Sequence, residues 1–137
     1  FDLVQEAVSR LRSAGHDVEL VVAYKQPYAF VPLYMNACDV LVLPSEREGS
    51  PQVVKEAMAC NLPVVCTDVG DVPEMLAGVR GCHICRRDAD DIAAKVALVL
   101  ERRERTDGRL AARRYDLRSI ARRVIRVYDE VLMGRRQ

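Results

Sequence analysis

The chain reads as an α/β domain with a mainly parallel sheet between layers of helices, and three observations predict it. Residues 39–44 (DVLVLP) and 63–68 (PVVCTD) are short apolar runs, rich in β-branched residues and bounded by proline, as expected of strands buried on both faces. Between them, Val53, Val54, Ala57, Met58 and Cys60 share one arc of a helical wheel. Strand, helix and strand in that order make a right-handed parallel crossover. The loop after the first strand then lies at the carboxyl end of the sheet, where open α/β folds bind ligands.

The chain starts abruptly inside a helical pattern, with Leu3, Val4, Ala7, Val8 and Leu11 on one face and a stop expected near Gly15. An α/β domain normally begins with a strand and no initiator methionine is present, so the chain reads as a fragment. Residues 17–23 (DVELVVA) are expected to form a further buried strand, Gln26-Pro27 a turn, and Val31 to Ala37 a short helix. The loop SEREGS interrupts the apolar pattern with two acids, an arginine and a glycine. Ser50 suits an N-cap and Pro51 the first helical position, with the helix running to about Cys60 and stopped by Asn61 and Pro63. A short helix over Asp71 to Ala77 and a last strand over Gly81 to Cys85 should follow. Asp88 should cap a helix to Leu100, and a basic helix is expected over 117–133, with Ile120, Val124, Val127, Tyr128 and Val131 on its apolar side.

Composition narrows the function classes. The 137 residues suit one domain, and the net charge of +1 argues against a general polyanion binder. Charge is uneven: residues 101–137 hold 12 Lys or Arg against 6 acids. That basic tail (Arg113, Arg114, Arg118, Arg122, Arg123, Arg126, Arg135, Arg136) has three readings. It can be the solvated face of an amphipathic helix, a contact with an anionic membrane surface, or a nucleic-acid contact. The last is disfavoured by scarce aromatics and the lack of a known motif, so no nucleic acid is expected. No apolar run approaches the roughly 20 residues of a membrane span, and no signal peptide is visible.

Five cysteines, an odd number in a chain without such a signal, fit a reduced cytoplasmic protein with thiols acting as small buried hydrophobes. Cys82 and Cys85 (CHIC) lie three apart on a predicted strand and so point to opposite faces, which suits neither a metal site nor a redox pair. No metal is expected, and His16, in a turn after Gly15, should be solvated.

The loop and helix at 45–60 hold the candidate site. Backbone N–H groups at Gly49 to Val53, with the helix dipole, make an anion site. Glu56 falls at the border of the apolar arc, with Gln52 beside it. A carboxylate there needs a partner to offset its desolvation, or else stays half-solvated. Glu48 lies eight positions earlier, in the loop.

The run Glu48-Gly49-Ser50-Pro51-Gln52-Val53-Val54-Lys55-Glu56-Ala57-Met58-Ala59 resembles the Glu-x7-Glu motif of retaining glycosyltransferases of family 4, which have the GT-B fold. The resemblance extends back through Tyr34-Met35-Asn36-Ala37-Cys38-Asp39. It continues forward through Asn61-Leu62-Pro63-Val64-Val65 and Asp68-Val69-Gly70-Asp71-Val72-Pro73-Glu74, and covers most of residues 17–100. It implies a Rossmann-like three-layer α/β/α domain, the carboxyl-terminal, donor-binding half of a GT-B enzyme. By the same resemblance the chain lacks the domain's first strand, which in the family lies between the strands at Asp17 and Asp39. Those two should then pair directly, leave a gap, or recruit a strand from another copy, so that the fragment self-associates.

The implied activity is transfer of a hexosyl unit, with retention, from a nucleotide-activated sugar to a saccharide or lipid-linked acceptor in polysaccharide biosynthesis. Glu48 would lie near the donor sugar as the catalytic carboxylate. Gly49, Ser50, Pro51, Gln52 and Val53 would hold the diphosphate, and Glu56 the ribose hydroxyls. Tyr24 and Lys25 stand where the family often holds the base, or form a solvated turn. Such enzymes generally work without a bound metal or cofactor, with the nucleotide-diphosphate sugar as substrate. The partner is an amino-terminal acceptor-binding domain, and the basic tail could hold the enzyme at the inner face of the membrane. A nucleotide-binding module without turnover and a docking scaffold are the competing classes.

Overall fold

The computed structural model describes residues 1–134. It is a three-stranded parallel sheet between two helical layers, built from α1 (Asp2–Ser13), α2 (Val31–Ala37), β1 (Leu41–Leu43), α3 (Gln52–Ala59), β2 (Val64–Thr67), α4 (Val72–Leu76), β3 (His83–Cys85), α5 (Ala89–Arg102), α6 (Gly108–Ala112) and α7 (Leu117–Gly134). The strands lie in the order β1-β2-β3, with Leu41 opposite Val64 and Cys66 opposite Ile84. This is the expected Rossmann-like α/β class.

Period-two alternation on the central strand sorts the core into two halves. Val64 and Cys66 face α3 and α4, packing with Val54, Ala57, Met58, Val72 and Met75. Val65 faces the other way, onto Ala7 and Leu11 of α1 and Ile92 and Val96 of α5. Arg10 ties these last two helices together by pairing with Asp90 as well as with Glu6 of its own helix. Asp88 caps α5 as expected, accepting the Asp91 N–H at 2.8 Å.

Two strand expectations need correction. Residues 17–23 form no strand: Val21 and Val22 stand 46% and 54% exposed, and only Val18 leans on the α1–α5 cluster. Apolar patterning marks a buried face, but a strand also needs a hydrogen-bonding neighbour. β1 bonds only to β2 among the described residues, so the two segments do not pair. The second correction is β1 itself, which is half-buried rather than buried on both faces because it is an edge. Only β2 is covered throughout.

The basic tail has a use that none of its three readings included. Arg105 donates to the carbonyls of Cys38 at 2.7 Å, Met35 at 2.9 Å and Cys60 at 3.1 Å, at the carboxyl ends of α2 and α3. Arg109 donates to Ala59 O at 2.7 Å, and Arg114 to Glu74 O at 2.6 Å on α4. Helix ends carry unpaired carbonyls and partial negative charge, and a guanidinium answers both. Asn61, in the left-handed region at φ 53°, turns the chain after α3, and its side chain accepts the Arg109 N–H at 2.8 Å. Beyond these, α7 buries no residue, so it is not an amphipathic helix laid on the body. Arg135 and Arg136 lie outside the described residues.

Candidate functional site

The site is built on the loop between β1 and α3, at the carboxyl end of the sheet. Thr67, at the end of β2, donates its hydroxyl to Ser45 O at 2.6 Å and fixes where the loop leaves β1. Ser45 in turn donates to Glu48 Oε1 at 2.8 Å, which holds the Glu48 carboxylate at the exposed crest of the loop. Farther along, Gly49 O accepts the Asp71 N–H at 3.1 Å, and the Ser50 hydroxyl donates to Asp71 Oδ2 at 2.6 Å.

This last bond corrects the expected cap. Ser50 does not cap α3; Pro51 takes the N-cap position, and no side chain caps the helix. The hydroxyl has found a stronger, charged acceptor on the neighbouring loop. The consequence is an open helix N-terminus at Gln52 and Val53, with Gln52 exposed and Val53 packed against the core. Lys55 reaches back to the Ser50 carbonyl at 3.4 Å.

Glu56 lies on the same helix, half-buried as its border position implied. It faces Tyr28, and the carboxylate pushes the Tyr28 phenol up from its ordinary value, by charge first and by hydrogen bonding second. Tyr28 was not among the residues singled out from the sequence. An exposed tyrosine in a short turn gives no local signal, and only the fold brings it to Glu56. Tyr24 is exposed, with Lys25 over its ring.

A cleft of about 810 Å³ opens beside the loop, lined by Ser45, Thr67, Asp68, Arg87 and Lys95 among others. It borders the loop without including Glu48, Glu56 or the α3 N-terminus. Cys66 and Cys85 lie buried beneath it, and burial pushes their thiols up to about 12 and about 11. They behave as the inert apolar cysteines expected, and no metal-binding cluster occurs among the described residues.

The sequence model for group 1 glycosyl transferases matches residues 1–102. The chain belongs to that family. Among relatives of this group 1 glycosyl transferase domain, a Bacillus subtilis protein named as a teichuronic acid biosynthesis glycosyltransferase, TuaC, is 45% identical over 90 residues, 66% of this chain and 22% of the relative. A Campylobacter jejuni N,N'-diacetylbacillosaminyl-diphospho-undecaprenol alpha-1,3-N-acetylgalactosaminyltransferase is 36% identical over 109 residues, 74% of this chain and 28% of the relative. A D-inositol 3-phosphate glycosyltransferase of Geodermatophilus obscurus is 42% identical over 72 residues, 52% of this chain and 16% of the relative. The chain thus spans less than a third of the length of these curated relatives. Its matched span contains both glutamates, the open α3 N-terminus and all three strands.

Proposed function

We propose that this chain is the donor-binding half of a retaining, metal-independent glycosyltransferase that moves a hexosyl unit from a nucleotide-activated sugar to a saccharide or lipid-linked acceptor. The observation that carries the reading is the uncapped N-terminus of α3, set between the two glutamates at the carboxyl end of a parallel sheet. The amides of Gly49, Ser50, Gln52 and Val53 would take the diphosphate and answer the charge that develops on the leaving group. Glu56 would accept the ribose hydroxyls, and Glu48 would face the donor sugar. The acceptor would be held by a separate amino-terminal domain. Teichuronic acid in one relative's name and a diphospho-undecaprenol-linked sugar in another's support polysaccharide or lipid-linked acceptors.

The test is direct. A nucleoside diphosphate should shift the amide resonances of Gly49, Ser50, Gln52 and Val53, and Glu56→Gln should weaken its binding about tenfold while changing inorganic pyrophosphate binding by less than twofold. The tenfold figure corresponds to roughly 1.4 kcal/mol, the scale of one hydrogen bond to a charged group. Equal losses for the two ligands would remove the ribose role. Shifts confined to the arginine-rich tail would remove the site.

Where the protein works is a second, separable proposal. No helix among the described residues is long and apolar enough to cross a membrane. On α7, however, Ile120, Val124, Val127, Tyr128 and Val131 form an exposed apolar stripe, with Arg123 near one border and Arg118, Arg122 and Arg126 farther round the helix. That is the pattern of a helix lying in a bilayer interface, its arginines reaching headgroups, and it suits a cytoplasmic enzyme resting on the inner face of the membrane. Flotation with anionic vesicles should carry the protein and should be lost without residues 117–137; flotation of both forms alike would remove the proposal. The unpaired edge of β1 would likewise let isolated copies of the chain associate.

A further inference from the structure

Asp71 stands at the N-cap of α4, where a carboxylate ordinarily accepts the orphan N–H groups of its own helix. It makes no such bond. Its Oδ2 takes the Ser50 hydroxyl at 2.6 Å, while its Oδ1 is buried with no hydrogen-bond partner among the described residues. A buried carboxylate oxygen left unpaired is costly and calls for an explanation.

The bond that Asp71 does make, through Oδ2, reaches across the gap to the start of α3. Ser50 directly precedes the N-cap Pro51 and has the kind of side chain that readily turns onto nearby backbone N–H groups. Bound to Asp71, its hydroxyl is occupied and the first turn of α3 stays uncapped. The backbone fixes the same contact from two more directions. Asp71 donates its own N–H to Gly49 O at 3.1 Å. Gly70, at φ +55°, lies so close that an added Cβ would fall 2.1 Å from Gly49 O and 2.8 Å from Glu48 O.

We propose that Asp71 is a positioning residue for the diphosphate site: by engaging the Ser50 hydroxyl, it keeps the amides of Gln52 and Val53 free for the donor's phosphates. This rests on the donor-site reading above. Asp71 acts through Ser50, and its own negative charge works against an anion nearby, so the two effects have opposite signs and can be separated.

The experiment measures binding of uridine and guanosine diphosphate to the intact protein by calorimetry, alongside each variant's melting temperature. Asp71→Ala is expected to weaken binding about tenfold. Asp71→Asn keeps an acceptor for Ser50 and drops the charge, so it should bind within about twofold of the wild type or tighter. Ser50→Ala removes the competing hydroxyl and leaves the amides of Gln52 and Val53 free, so by itself it should bind within about twofold of the wild type. In that background Asp71→Ala should change the dissociation constant by less than about twofold, because no hydroxyl is left to release. Should Asp71→Ala fail to fold, Asp71→Gly replaces it, glycine being well tolerated at an N-cap.

Binding by Asp71→Ala as tight as or tighter than wild type overturns the proposal. So does an equal loss in the Ser50→Ala background, or a tenfold loss in a folded Asp71→Asn. If the wild-type protein binds neither diphosphate, the donor-site reading itself fails and takes this role with it. If the wild type binds and Asp71→Ala leaves binding unchanged, only the role of Asp71 fails.

Discussion

Replacing Glu48 with alanine in the intact protein is expected to lower the rate of sugar transfer at saturating donor by about a hundredfold or more, the scale typical of one well-placed charged group at a reacting centre. The Glu48 carboxylate is held by Ser45 at 2.8 Å and lies on the exposed crest of the loop, outside the core. Its loss should therefore leave the melting temperature within a degree or two. It should also leave affinity for a nucleoside diphosphate nearly unchanged, because that ligand lacks the hexosyl unit that Glu48 would face. A fall in kcat with little change in diphosphate affinity is the signature of an interaction made at the sugar as its bond to the leaving group breaks. Steady-state transfer assays and calorimetry together check it. An unchanged kcat would move the catalytic role elsewhere, and a parallel loss of diphosphate affinity would make Glu48 part of the loop's framework. The 137-residue chain alone is expected to show no transfer above background. Holding two substrates together can account for roughly 7–11 kcal/mol of barrier, and in the proposed reading a separate domain would hold the acceptor.

The second large effect belongs to Gly70. Alanine there meets two penalties at once. Its backbone sits at φ +55°, which costs a residue with a Cβ roughly 1–2 kcal/mol, and that Cβ would overlap the Gly49 carbonyl at 2.1 Å. The obstacles are main-chain atoms of Glu48 and Gly49, which no side-chain rotation can clear. Either the loop moves or the turn after β2 does. Gly70→Ala should thus lower the melting temperature by roughly 5–10 °C and weaken diphosphate binding in the same variant. A melting temperature and affinity both unchanged would mean that the contact between these loops is looser than the geometry implies.

The two loops also show how far the sequence could be read. Much of the local structure was legible: the β1–α3–β2 unit, the stop at Asn61 and the cap at Asp88. Each rests on the spacing of neighbours within a turn or two. The bond between Ser50 and Asp71 spans 21 residues, and nothing in the run GSP says that its serine will serve a distant acid instead of its own helix. Tyr28 comes to Glu56 in the same non-local way. The segment 17–23 misled for a different reason. Its composition reports what a strand's face prefers and nothing of whether a neighbour is there to bond with it. The arginines after α5 were the least legible of all. A basic run looks the same whether it faces water, a membrane or the carbonyl ends of three helices.

Those arginines set the natural boundary of the unit. The family match stops at residue 102, after the last motif residue. The brackets at Arg105, Arg109 and Arg114 come later and grip α2, α3 and α4 at the ends opposite the site. A chain cut where the family match ends would keep both glutamates and the loop, yet lose what clamps the far ends of the helices that present them. The span that the family match covers is therefore shorter than the span over which these helices are clamped. Swaps or grafts of this domain should be cut after Tyr115, where the last bracket closes.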